Sequence, residues 1–148
     1  MLQHSRDGYL GLAAAERYVA NCGLEPNLLH LVKLRVSQIN GCAYCIDMHW
    51  KDLRALGEGE QRLYGLNAWE ESPYYSERER AALAYAEAVT RISEGHASDA
   101  VYDKARGQFN EKEISDLTLA ITTINAWNRI AISSRTPAGS YKVGEHKQ

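Results

Sequence analysis

The segment 111–133 constrains the fold most. Ile114, Leu117, Leu119, Ala120, Ile121, Ile124, Ala126, Trp127, Ile130 and Ile132 recur at helical spacing and cover much more than one stripe. A helix apolar on most of its circumference needs other elements around it, so it belongs in a domain centre or at a subunit interface. Asn110 and Glu113 stand where an N-cap and its reciprocal partner belong. Either the remaining helices cover this surface, or a trimer hides the excess.

The rest of the chain also reads as helical. The expected helices span about 8–22, 26–38, 42–56 and 59–69. After a loop at 70–75, Ser76 and Glu79 form a capping box ahead of 81–92, whose inner face carries Ala82, Leu83, Ala86 and Val89. Ser98 caps a short helix reaching about Phe109. Pro26, Pro73 and Pro137 fall at expected starts and stops, and Asn40-Gly41 is a break. No run of alternating β-branched residues compels a sheet. The expectation is one all-α domain over 1–148, with a mobile tail from about 137.

Charge and cysteine usage narrow the function. A net charge of −2 and a pI near 6.2 give no footing for nucleic acid or an acidic membrane as partner. No apolar run approaches the ~20 residues of a membrane span, and 1–9 is polar, so a soluble, cytoplasmic protein is expected. Three cysteines in 148 residues are not a disulfide framework. Cys22, near a helix end, reads as a small apolar residue.

The other two cysteines are clustered. Cys42, Cys45 and His49 fall at i, i+3 and i+7, on one helical stripe. Thiols so placed can cycle between dithiol and disulfide, and an adjacent imidazole can lower a thiol pKa. Peroxide reduction needs a nucleophilic thiolate, a resolving thiol and a proton donor for the leaving oxygen. The helix N-terminus favours a thiolate on Cys42, whereas the His49 imidazole one turn beyond Cys45 favours Cys45 as the attacking sulfur. Three other readings compete: zinc held by Cys42, Cys45, His49 and a remote ligand such as His30; a structural disulfide; and inert buried thiols. His30 sits on a largely apolar helix, where a histidine is ordinarily a hydrogen-bonded core residue. His4, His96 and His146 read as surface residues.

The stretch 31–49, with Cys42-Ala43-Tyr44-Cys45 and His49, resembles the alkylhydroperoxidase-D-like family. This is the Cys-x-x-Cys branch of the carboxymuconolactone decarboxylase superfamily. The likeness extends through 55–57, 77–83 and 124–129 and so over most of 9–135. It implies an all-α fold assembled as trimers or hexamers, acting on organic hydroperoxides with electrons from a dithiol reductant and without metal, haem or flavin. It also implies that Cys45 attacks, Cys42 resolves and His49 belongs to a proton relay. Two positions depart from the family pattern. His30 stands where a glutamate is frequent, and Tyr44 stands where the best-studied form has histidine. Imidazole titrates near neutrality when unperturbed, so His30 can take the glutamate's place in the relay. Tyrosine, with a reference pKa of about 10, is a donor but a poor base. A thiol–disulfide oxidoreductase and a non-enzymatic metal-binding scaffold are the remaining alternatives.

Overall fold

The computed structural model describes residues 4–145, and His146 lies outside them. Their helices are α1 (Arg6–Ala20), α2 (Pro26–Asn40), α3 (Ala43–Ala55), α4 (Glu60–Tyr64), α5 (Glu77–Thr90), α6 (Asp99–Arg106) and α7 (Glu111–Ser133). Two 3₁₀ turns, Leu66–Ala68 and Ile92–Glu94, follow α4 and α5, and there is no strand among the described residues. The all-α expectation is met.

The capping boxes form as the sequence predicts. Asn110 Oδ1 accepts the Glu113 N–H at 2.9 Å, and a Glu113 carboxylate oxygen accepts the Asn110 N–H at 2.9 Å. Ser76 and Glu79 exchange the same two bonds at 3.2 and 2.8 Å. Each pair satisfies two of the amide donors that a helix start leaves open. The first helix begins and ends two residues earlier than expected, which leaves Cys22 beyond it. The expected 59–69 helix breaks at Gly65, where a Cβ would meet the Gln61 carbonyl at 3.0 Å and the Tyr74 ring at 3.7 Å.

The most enclosed helix is α2 rather than α7. Leu28, Leu29, Leu31, Val32, Leu34 and Val36 point in all directions, and every one is buried. They pack against α3, α5 and α7. Charged residues disguise this in the sequence, but Lys33 pairs with Glu16, and Arg35 pairs with Glu87 at 2.6 Å. The buried face of α7 (Ile114, Leu117, Ala120, Ile121, Ile124) lies against α1, α2 and α5. Its far end is more open, with Ile132 40% exposed. Leu117 is 0% exposed, so Leu117→Ala is expected to cost about 2–5 kcal/mol in chemical denaturation. Leu10→Ala, at a position 48% exposed, is expected to stay within about 0.5 kcal/mol.

The segment after Pro137, expected as a mobile tail, meets α3 at Gly139 and Tyr141. Asp47 accepts the Gly139 N–H at 3.2 Å, and Lys51 Nζ donates to the Gly139 and Tyr141 carbonyls at 3.2 and 3.1 Å. The Tyr141 ring is 5% exposed, and its hydroxyl donates to Asp52 Oδ1 at 2.7 Å. Its polar, glycine-containing sequence conceals these anchors because they all belong to α3.

Candidate active site

A tight corner between α2 and α3 builds the thiol pair. Gly41 closes α2 in the left-handed conformation, φ 69°, which glycine adopts without steric cost. The Cys42 N–H then donates to the Ser37 carbonyl at 3.0 Å. Cys42 is therefore the N-cap of α3, one step before the helix rather than inside it. Its sulfur accepts the Cys45 N–H at 3.4 Å. The two sulfurs lie 2.7 Å apart as free thiols, 1% and 2% exposed.

The corner does not lower the thiol pKa of Cys45, as the sequence reading expected of the neighbouring imidazole. Burial, together with the hydrogen bond and charge of Cys42, pushes it up to about 12. A hydrogen bond from the Asn128 side chain works the other way. Asn128 is 0% exposed and held on both sides. It donates to Ser37 Oγ at 3.0 Å, and its carbonyl oxygen accepts from Asn40 at 2.9 Å. Asn40 also donates to Asn125 at 2.9 Å, so a partly buried amide network ties the end of α2 to α7 beside the sulfur. The Tyr44 phenol is held above its ordinary value, chiefly by burial, and so remains a proton donor.

One turn further along α3, His49 meets His30 of α2. Their Nδ1 atoms are 3.1 Å apart, so one of them carries a proton and the other a lone pair. Asp52 Oδ2 lies 3.8 Å from His30 Nδ1. His49 is 3% exposed. Burial first, then the Lys33 ammonium and His30, hold its pKa well below the usual histidine range, so the ring is neutral. This is why His49 brings no positive charge to Cys45. Its Nε2 is the one buried side-chain polar atom without a hydrogen-bond partner among the described residues.

The four residues expected to carry the site thus fall into two pairs, Cys42 with Cys45 and His30 with His49. Among the described residues the groups placed to share an ion are His30, His49 and Asp52, with no cysteine in the set. Asp52, Lys33 and Tyr141 escaped the sequence reading. The same-face rule that singled out His49 also reaches Asp52 (i+3 from His49) and Lys33 (i+3 from His30). Asn128 and Tyr141 have no local signal, since both arrive from distant parts of the chain.

Two buried thiols on a helical corner, backed by an imidazole pair, define a class of all-helical proteins with a Cys-x-x-Cys centre. Residues 5–88 match the family model for the carboxymuconolactone decarboxylase family, and the chain belongs to that family. It is 44% identical over 125 residues to the uncharacterized protein YdfG of Bacillus subtilis (strain 168), covering 84% of this chain and 85% of that one. A crystal structure of a protein of unknown function from Agrobacterium tumefaciens, proposed to be the antioxidant defence protein AhpD, superposes with a TM-score of 0.90. It is 43% identical, over 95% of this chain and 96% of that one. The debrominase Bmp8, solved with 2,3,4-tribromopyrrole, has a TM-score of 0.83 over 94% of this chain and 74% of its own. At 17% identity it shares the fold alone, and a fold by itself does not determine chemistry. No described helix is long and apolar enough to cross a membrane.

Proposed function

We propose that this protein is a thiol-dependent alkyl hydroperoxide reductase acting in the cytoplasm. Cys45 attacks the peroxide O–O bond, forms a sulfenic acid and expels an alkoxide, which leaves as alcohol after taking a proton. Cys42 then attacks the sulfenic sulfur, releasing water and leaving the Cys42–Cys45 disulfide. An external dithiol returns the pair to thiols. No metal, haem or flavin enters this cycle. A homo-oligomer, trimer or hexamer, suits the partly exposed end of α7.

The observation that carries this reading is the buried, unpartnered Nε2 of His49 one turn beyond Cys45. Buried polar atoms are nearly always paired, and an exception calls for a role. A thiol pushed up to about 12 is almost wholly protonated at neutral pH, so it needs a base to become a nucleophile. With His49 in the Nδ1–H form, Nε2 presents a lone pair. That lone pair takes the Cys45 proton, directly or through a water, while Nδ1 passes its own to His30 across 3.1 Å. Positive charge then rests on the more exposed ring, beside Asp52, instead of in the core. The proton returns along the same path to the departing alkoxide.

His30→Ala tests the relay. Its single-turnover rate with cumene hydroperoxide is expected to fall about 100-fold, the lower end of what positioned proton transfer contributes. His30→Glu is expected to recover part of that loss with an altered pH profile. A wild-type rate and pH profile in His30→Ala would refute the relay.

A further inference from the structure

Two imidazoles that meet nitrogen to nitrogen can share one proton or one metal ion. Here the meeting atoms are His30 Nδ1 and His49 Nδ1, 3.1 Å apart, with Asp52 Oδ2 at 3.8 Å from the first. One ligand atom from each of the three residues lies within 4.8 Å of the other two. Ligand atoms bound at about 2.0–2.2 Å to a tetrahedral zinc ion stand about 3.3 Å from each other. Two of the observed separations lie within about 0.5 Å of that spacing, and the third, inside 4.8 Å, needs at most about 1.5 Å of closure to embrace an ion.

The surroundings favour such a site. His49 and Asp52 project from one face of α3 at i and i+3, and His30 comes from the packed helix α2, so the frame is rigid. Tyr141 donates to Asp52 Oδ1 at 2.7 Å, which orients the carboxylate with Oδ2 toward the imidazoles, as an outer-shell partner does in metal centres. Lys33, the cation that bears on His49, is itself paired with Glu16. The His30 side chain is 25% exposed, leaving a side from which water can complete the coordination. Two imidazoles and one carboxylate suit zinc-like transition ions better than magnesium or calcium, which prefer all-oxygen sets.

We propose that His30, His49 and Asp52 form a binding site for a divalent transition ion of the zinc type, with water as fourth ligand and without the cysteines. An ion held on both Nδ1 atoms displaces the shared proton and leaves neutral His49 protonated at Nε2. The base that the proposed relay assigns to Cys45 is then gone, and the ion acts as an inhibitor of peroxide reduction. The site does not depend on the peroxidase reading, whereas the inhibition does.

Cobalt(II) titration of pre-reduced, chelator-treated, full-length protein tests the site. The expected result is one ion per chain with visible d–d bands and no thiolate-to-cobalt charge transfer, unchanged when Cys42 and Cys45 are both replaced by serine. Tyr141→Phe, which keeps all three ligands, is expected to weaken binding about 10–100-fold, and Asp52→Asn to weaken it further. No binding, a charge-transfer band that disappears with the cysteines, or undiminished binding in Asp52→Asn would overturn the site. Peroxide turnover in excess chelator reports separately. Turnover without cobalt binding sinks the metal site alone, and cobalt binding without turnover sinks the peroxidase reading alone.

Discussion

Cys45→Ser is expected to lower the single-turnover rate with cumene hydroperoxide by on the order of 10³-fold or more, as losing a covalent nucleophile does. Intact mass gives the more specific record. Pre-reduced wild-type protein should lose about two daltons after one equivalent of peroxide, the signature of the disulfide. Cys42→Ser should stop one step earlier, as a sulfenic acid trapped on Cys45, about sixteen daltons heavier. The Cys42 substitution is structurally mild, because that residue is the N-cap of α3 and serine is a preferred N-cap. The proposed roles of the sulfurs rest on their neighbours. Cys45 has the Asn128 side chain at its sulfur and His49 a turn away, whereas Cys42 occupies the cap. A sulfenic acid trapped in Cys45→Ser and missing from Cys42→Ser would reverse the assignment.

His49→Asn is expected to lower the same rate by about 10²–10⁴-fold while leaving the fold intact. Asparagine keeps a polar group near the Nδ1 position, facing His30, and deletes the Nε2 edge. Because Nε2 has no partner to lose, its removal strands no other buried group, and stability measured by urea denaturation should hold or rise. The two readouts together separate a proton-transfer role from a packing role. A fall in stability of several kcal/mol with little change in the rate would assign His49 to packing and remove it from the mechanism. The expected pattern is the reverse.

How much of this was legible in the sequence depended on the range of the interactions. Helix starts were readable because a cap is a conversation among four consecutive residues, as at Asn110 and Ser76. The cysteine corner was readable for the same reason, with Asn40-Gly41 announcing the turn. The thiol pKa was misjudged because its direction depends on burial by other helices, which no local spacing reports. The enclosure of α2 was not legible, because Lys33 and Arg35 look solvent-directed until Glu16 and Glu87 arrive from elsewhere. Asn128 and Tyr141 reach the site across 88 or more positions, since the first bonds Asn40 at a separation of 88 and the second bonds Asp52 at 89. Only the folded chain brings them into view.

In the proposed peroxidase cycle, the burial of both sulfurs bears on the choice of reductant. With Cys42 1% and Cys45 2% exposed, a broad, rigid partner protein cannot bring its own thiol into line with the S–S axis while the corner stays shut. A slender dithiol on a flexible arm can thread where a globular domain cannot. The corner then acts as a sieve by girth, and recycling through a bulky donor requires it to breathe, at a frequency set by local opening of the α2–α3 junction. Under saturating bulky donor, turnover would level off at that opening rate, however reactive the donor's sulfur.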